Sequence, residues 1–378
     1  MGKLILILIS LFPVIDTFMG FFSNNESIIG IALKTCVLFL MIIYIFIVLQ
    51  NKIILILLLL VPVFYAIHIS KSDLDLTTEL ASIIKIFYYF ISCLFFFSIR
   101  NNQELYKYVV LILKIGFITI SFNVICGLMG YGDYTYKALQ YGVKGFIYAG
   151  NEMSFLLVLL TSLLVWVYRL YSIKVYFLLV ISLFLGVCIA TKSAIIANLI
   201  ILITYMVVMN KVKIYHFLIG SICLFFIIPH VIQSDFFAAN IERFNNSSII
   251  DFMSSSRLDY FDYIWSSIKN INLDVFLFGY GRTYIKSFGI GGTEMDIVDI
   301  FLWHGAIFVI LVVAFILIVY KSMMYSKYKD KSYLIITFTL IIMMSMFAGH
   351  IITSGMISPV LGLFIYFSIN KNEGIEYD

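Results

Sequence analysis

The sequence predicts an all-α polytopic membrane protein, a single transmembrane domain over residues 1–378 with about twelve helical spans. Three observations predict it. Hydrophobic residues make up 62% of the chain and charged residues only 12%, against roughly a quarter charged in an ordinary soluble domain. Apolar runs of about 20 residues, the length a bilayer core requires, recur from one end to the other. Cations gather on alternate short connections, as the positive-inside bias demands.

In chain order, the runs lie near 4–22, 28–49, 53–70, 78–98, 107–129, 148–168, 175–191, 194–210, 213–232, 297–320, 333–350 and 355–370. The first begins at Lys3 with "LILILISLF", like a signal-peptide core, but it continues past Pro13 to Phe22 with no small-residue cleavage site, so it reads as a span. With the N-terminus in the cytoplasm, thirteen of the 25 cations fall on inner tails and short loops, among them Lys52, Arg100, Arg169 and Lys321. Both termini are then cytoplasmic. Lys34, Lys85 and Lys114 fall inside spans. The net charge of +4 is topological, which gives no reason to expect a nucleic-acid partner. Cys36, Cys93, Cys126, Cys188 and Cys223 each sit in an apolar run and read as buried thiols. There is no CxxC or HExxH spacing, and neither metal nor cofactor is expected.

Only the connection over residues 233–296, between the ninth and tenth spans, is long, and it faces outward. Long connections in compact bundles are commonly functional. It contains "SSSRLDYFDYIWSSIKN" (254–270), where Leu258, Phe261, Ile264, Trp265 and Ile268 recur at helical spacing. Ser256 and Asp259 have capping-box spacing. The expectation is a helix in the membrane interface, with Trp265 at headgroup depth and Arg257 at its N-terminus, a combination suited to phosphate oxygens. The alternative is that Arg257 only pairs with a lipid headgroup, Asp259 or Asp262.

Downstream, "FLFGYGRTYIKSFGIGGTEMDIVDIFLWHG" supplies flexible glycines and two further cations, Arg282 and Lys286, without P-loop spacing. Glu294, Asp296 and Asp299 lead into the tenth span, and His304 follows one turn deeper. On a regular helix Asp296 and Asp299 share a face, with His304 roughly 80° from the first and roughly 140° from the second. Each is a candidate general base. The alternatives are a helix-dipole role for the acids and an interior role for the histidine. Other reactive types gather at outer span ends: Asn151 and Glu152 in "GFIYAGNEMSF", Lys192 and Ser193 in "TKSA", and His350 in "AGHIITSGM". Asp16, within the first span, is a further candidate, because intramembrane acids are costly and usually serve a purpose. The D-x-D at Asp73 to Asp75 is too short a pattern to carry a metal or nucleotide-sugar reading.

The ordered series "GFIYAGNEMSF", "ATKSA", "SSSRLDYF", "FGYG" and "TEMDIVDIFLWHGAI" resembles the O-antigen polymerase (Wzy-type) and O-antigen ligase-like superfamily from about residue 145 onward. The first five spans match it only in being spans. The resemblance implies a GT-C-like helical architecture in the bacterial cytoplasmic membrane. It also implies a metal-independent glycosyltransferase that works on undecaprenyl-diphosphate-linked oligosaccharide at the outer face, with a flippase and a chain-length regulator as partners. On the same basis Arg257, with Arg282 and Lys192, is expected to bind the diphosphate. The group Glu294, Asp296, Asp299 and His304 is expected to supply the base, and Asn151, Glu152, His350 and Asp16 to contact substrate. "EMD" stands where many ligases have "HN", which favours the polymerase over the ligase. A flippase for the same lipid is the rival of a different class. It is disfavoured because transporters place their polar site near the midplane between repeats, and no internal repeat is present.

Overall fold

The computed structural model describes residues 1–22, 28–49, 53–69, 74–136, 140–147, 149–209, 257–268 and 272–369. The expected ninth span, the long connection as far as Ser256, and also Asp73 and Cys223, lie outside the described residues.

Helices occupy every other stretch read as a span. α1 (Gly2–Ser10) and α2 (Phe12–Phe22) are bent by 41° about Leu11. α3 (Ile28–Val48), α4 (Ile53–Ile69), α5 (Leu76–Ile99), α6 (Tyr106–Leu128), α7 (Gly150–Val167), α8 (Ser172–Ile189) and α9 (Lys192–Val208) follow. Beyond the long connection come α10 (Arg257–Ser267), α11 (Leu273–Phe278), α12 (Arg282–Lys286), α13 (Asp296–Met324) and α14 (Lys331–Ala348). Two short helices, α15 (Ser358–Leu361) and α16 (Leu363–Ile369), close the fold. Among the described residues six helices are long and apolar enough to cross a membrane, or seven if α1 and α2 form one span. The chain is therefore a helical, membrane-embedded protein.

Lipid tails are as apolar as leucine, so packing and internal polar contacts must hold such helices together. α7 is the axis of the bundle, buried continuously from Met153 to Trp166. Gly116 of α6 lets Leu160 approach so closely that an added Cβ would lie 2.8 Å from it. Thr161 shares a 2.7 Å hydrogen bond with Ser182, whose hydroxyl donates to Asn198 at 2.7 Å, so α7, α8 and α9 are joined by one polar ladder. The expected burial of the thiols holds for Cys93, whereas Cys36 is exposed on the face of α3.

Three features depart from the sequence reading. Residues between the fifth and sixth spans form an antiparallel hairpin, β1 (Asp133–Tyr136) and β2 (Tyr141–Gly145). It was not legible as alternation because each strand is only four or five residues long. The tenth span is broken at Gly305, whose φ of 78° and ψ of −175° interrupt α13. The last span is an irregular segment at 349–357 followed by two short helices, and residues 351–360 are all buried. Irregular backbone inside a membrane bundle persists only where protein satisfies its polar groups.

Asn123 of α6 shows the same requirement. Its Nδ2 donates to Thr17 of α2 at 2.8 Å, and its Oδ1 accepts from Phe146 N, just after β2, at 3.0 Å. Asn123→Ala is expected to cost about 1–3 kcal/mol, read as a lower unfolding midpoint in detergent; an unchanged midpoint rules out this linking role.

Candidate functional site

The starts of α5, α7, α9 and α13, the end of α14 and the hairpin meet at one end of the bundle, where most of the candidate residues lie. Asp296, the first residue of α13, is fully buried. Its carboxylate accepts from the backbone N–H groups of His350, Ile351 and Ile352 at 2.8–2.9 Å and from the hydroxyls of Ser345 and Thr353. Five donors fill both oxygens. Asp296 therefore anchors the 349–353 backbone, and this geometry leaves it no lone pair for a substrate proton.

Asp299, one turn on, is 1% exposed. Its Oδ1 accepts from the backbone N–H of Thr293 at 2.6 Å and from the Thr293 hydroxyl at 2.9 Å, while Oδ2 has no partner among the described residues. Gly292 lies so near that an added Cβ would stand 2.9 Å from both carboxylate oxygens. Of the two acids on this helix face, Asp299 is the one left able to accept.

His304 is fully buried on the other side of α13. Nε2 lies 3.1 Å from the Ser82 hydroxyl of α5, and Nδ1 has no partner among the described residues. The break at Gly305 leaves carbonyls of the preceding turn without helical donors. Tyr280 N and Gly281 N donate to Leu302 O and Trp303 O at 2.8 and 3.1 Å, and Tyr65 of α4 donates to Trp303 O at 3.0 Å. Gly279 (φ 81°) makes this docking possible, since a Cβ there would lie 2.5 Å from the backbone of Trp303 and His304. This is the role of the "FGYG" glycines.

The connection is pinned a second time by Glu79, which the sequence reading did not single out. Glu79 is fully buried in the first turns of α5, and its Oε1 accepts from the N–H and hydroxyl of Thr283 at 2.7 and 2.8 Å. Its Oε2 lies 3.1 Å from the Tyr65 hydroxyl. Four residues before it, Asp75 of the discounted D-x-D caps α5, accepting from Thr77 N and Thr78 N. The Thr78 and Thr77 hydroxyls hold the Asp75 carboxyl below its ordinary pKa.

Arg257 opens α10, is 7% exposed, and donates to Glu294 at 2.9 Å rather than to Asp259 or Asp262. α10 does not lie wholly in an interface. Ile264 is fully buried with Ile285, Leu302 and Trp303, while Trp265 stays exposed and stacks on Phe261. The same α13 turn receives Arg282, whose guanidinium lies 4.9 Å from the centre of the Trp303 ring. Its buried Nε has no partner among the described residues.

Lys192 begins α9, where the preceding Thr191 shares a 2.6 Å hydrogen bond with Ser154, so α9 starts beside the first turns of α7 that carry Asn151 and Glu152. Asp16 accepts from Lys34 of α3 at 2.6 and 2.8 Å, and this pair shares one cavity with Glu152. His350 takes a left-handed conformation, φ 61°, and its Nδ1 lies 3.5 Å from the Thr353 hydroxyl. The structure thus divides the candidates into a group around the entry of α13 and a cavity group lined by Asp16 and Glu152.

The two aspartates of α13 should respond differently to the same isosteric change. Asp296→Asn points amide hydrogens at fixed donors and is expected to cost about 3 kcal/mol or more. Asp299→Asn keeps Oδ1 for Thr293 and is expected to stay within about 1 kcal/mol. Thermal unfolding of both variants in detergent checks this, and equal losses overturn the division of roles. Comparison with protein-family models, with curated proteins and with solved structures found no match for this chain.

Proposed function

We propose that the protein is a polysaccharide repeat-unit polymerase. It moves a growing glycan from undecaprenyl diphosphate onto a new lipid-linked repeat unit at the outer face of the cytoplasmic membrane. One observation carries this reading: two arginines converge on the entry of α13, Arg257 through its ion pair with Glu294 and Arg282 over the Trp303 ring, on the helix that carries Asp299 and His304. The motif resemblance described above supports it independently.

The chemistry follows from these groups. Asp299 Oδ2 takes the proton of the acceptor sugar hydroxyl. The hydroxyl oxygen forms a bond to the anomeric carbon of the donor glycan, with inversion. The bond from that carbon to the diphosphate breaks, and its electron pair leaves on the diphosphate oxygen. Arg257 and Arg282 stabilise the charge developing there, the larger part of such catalysis. Glu294 holds Arg257 until the diphosphate arrives. His304, fixed through Ser82, orients the acceptor. Asp296 has the structural task of holding the 349–353 segment in place, and Lys192 supplies a further cation from the start of α9.

Cells lacking the protein are expected to accumulate single lipid-linked repeat units, with polymer restored by the wild-type copy. Arg257→Ala is expected to lower activity by about a hundredfold or more at normal membrane abundance, whereas Glu294→Gln retains most of it. Full-length chains left on the carrier lipid would instead mean a ligase, and repeat units trapped on the cytoplasmic face a transporter. Near-full activity of Arg257→Ala would remove the diphosphate role.

A further inference from the structure

A second polar centre lies between α2, α3, α5, α7 and the 349–357 segment. It is a cavity of about 60 Å³ whose lining includes Asp16, Lys34, Lys85, Glu152, Tyr88 and Gly355. Two carboxylates and two ammonium groups at one site inside an apolar bundle are expensive and call for a use. Asp16 and Lys34 are already joined at 2.6 Å, so the charges balance and the site has no excess cation for a diphosphate. The remaining lining is largely apolar, including Ile31, Ile84, Ile147 and Met356. A carboxylate accepts hydrogen bonds and an ammonium donates them. An uncharged ring with hydroxyls at its edge and C–H groups on its faces matches both parts of such a wall. The enclosed space corresponds to about two waters of liquid volume, so it fits the hydroxyl-bearing edge of a ring rather than the whole ring.

We infer that this cavity is a sugar subsite, which takes the hydroxyl-bearing edge of an uncharged ring of the acceptor repeat unit. The inference rests on the polymerase reading and adds to it the residues that hold the acceptor. Two observations tie the cavity to the α13 centre. α5 carries Ser82, which touches His304, and Lys85, which lines the cavity, within one turn of each other. The segment anchored on Asp296 at His350 to Thr353 reaches the cavity at Gly355, two residues on. Two residues span at most about 7 Å of chain. At Gly355 the nearest atoms to an added Cβ belong to the Lys34 and Lys85 side chains, at 3.7–3.9 Å, so alanine fits there and a larger side chain fills the cavity.

The test measures binding by the purified full-length protein of two lipids: the undecaprenyl-diphosphate repeat unit extracted from cells lacking the protein, and bare undecaprenyl diphosphate. Wild type and Gly355→Ala are expected to prefer the sugar-bearing lipid by about tenfold or more. Gly355→Leu is expected to lose that preference while binding the bare lipid as before. Because a bulky substitution can disturb folding, Asp16→Asn with Lys34→Met forms a second, nearly volume-conserving variant, expected to lose the same preference with an unfolding midpoint near wild type. Preference retained in both variants, or equal binding of the two lipids by wild type, overturns the sugar subsite and leaves the polymerase reading standing. Binding of neither lipid by wild type overturns the polymerase reading, and the subsite with it.

Discussion

A single carboxylate sets the conditions for the rest of this end of the molecule. The segment 349–357 runs as irregular backbone where the surroundings are apolar, and its N–H groups require acceptors that neither lipid nor a helix provides. Asp296 supplies them from the first residue of α13. Because its partners come from both the end of α14 and the following segment, it fixes where α14 stops and where the last two helices begin. It also fixes the rotation of α13 about its axis. Asp299 is thereby turned toward Thr293 and Gly292, and His304 toward α5.

The second constraint is the break at Gly305. A continuous helix would satisfy the carbonyls of Leu302 and Trp303 internally and present a closed wall. The broken one recruits Tyr280, Gly281 and Tyr65 as donors, drawing the end of the long connection and α4 into the site. Glu79 reinforces the arrangement from α5 by holding Thr283. Loop, span and neighbouring helices are therefore one hydrogen-bonded unit, although they are separated by more than two hundred residues of sequence.

Much of the framework was legible in the sequence because a bilayer imposes a length and a composition that apolar runs reveal directly. The helix at Arg257–Ser267 was legible from its spacing, and the acids and histidine of "TEMDIVDIFLWHG" from their gathering at a span entry. What could not be read was which partner each polar group finds. Asp296 and Asp299 look equivalent in the chain, and only the fold gives one of them five donors and leaves the other an open oxygen. Glu79 looked like an ordinary helix-start acid, since burial by a loop some two hundred residues later leaves no local trace. Lys34 and Lys85 stood out as cations within spans, but nothing in the sequence joined them to Asp16 and Glu152. The signal available was their cost in an apolar run, which demands a counter-charge.

The docking of residues 277–283 onto the broken turn of α13 also bears on access. Peeling that segment away would strip donors from two carbonyls and from Glu79 together, a loss of about 1–3 kcal/mol for each group left bare. Such a rim behaves as a fixed threshold rather than a door. Access to this end of the bundle is therefore around the 277–283 segment, and does not require the segment to lift.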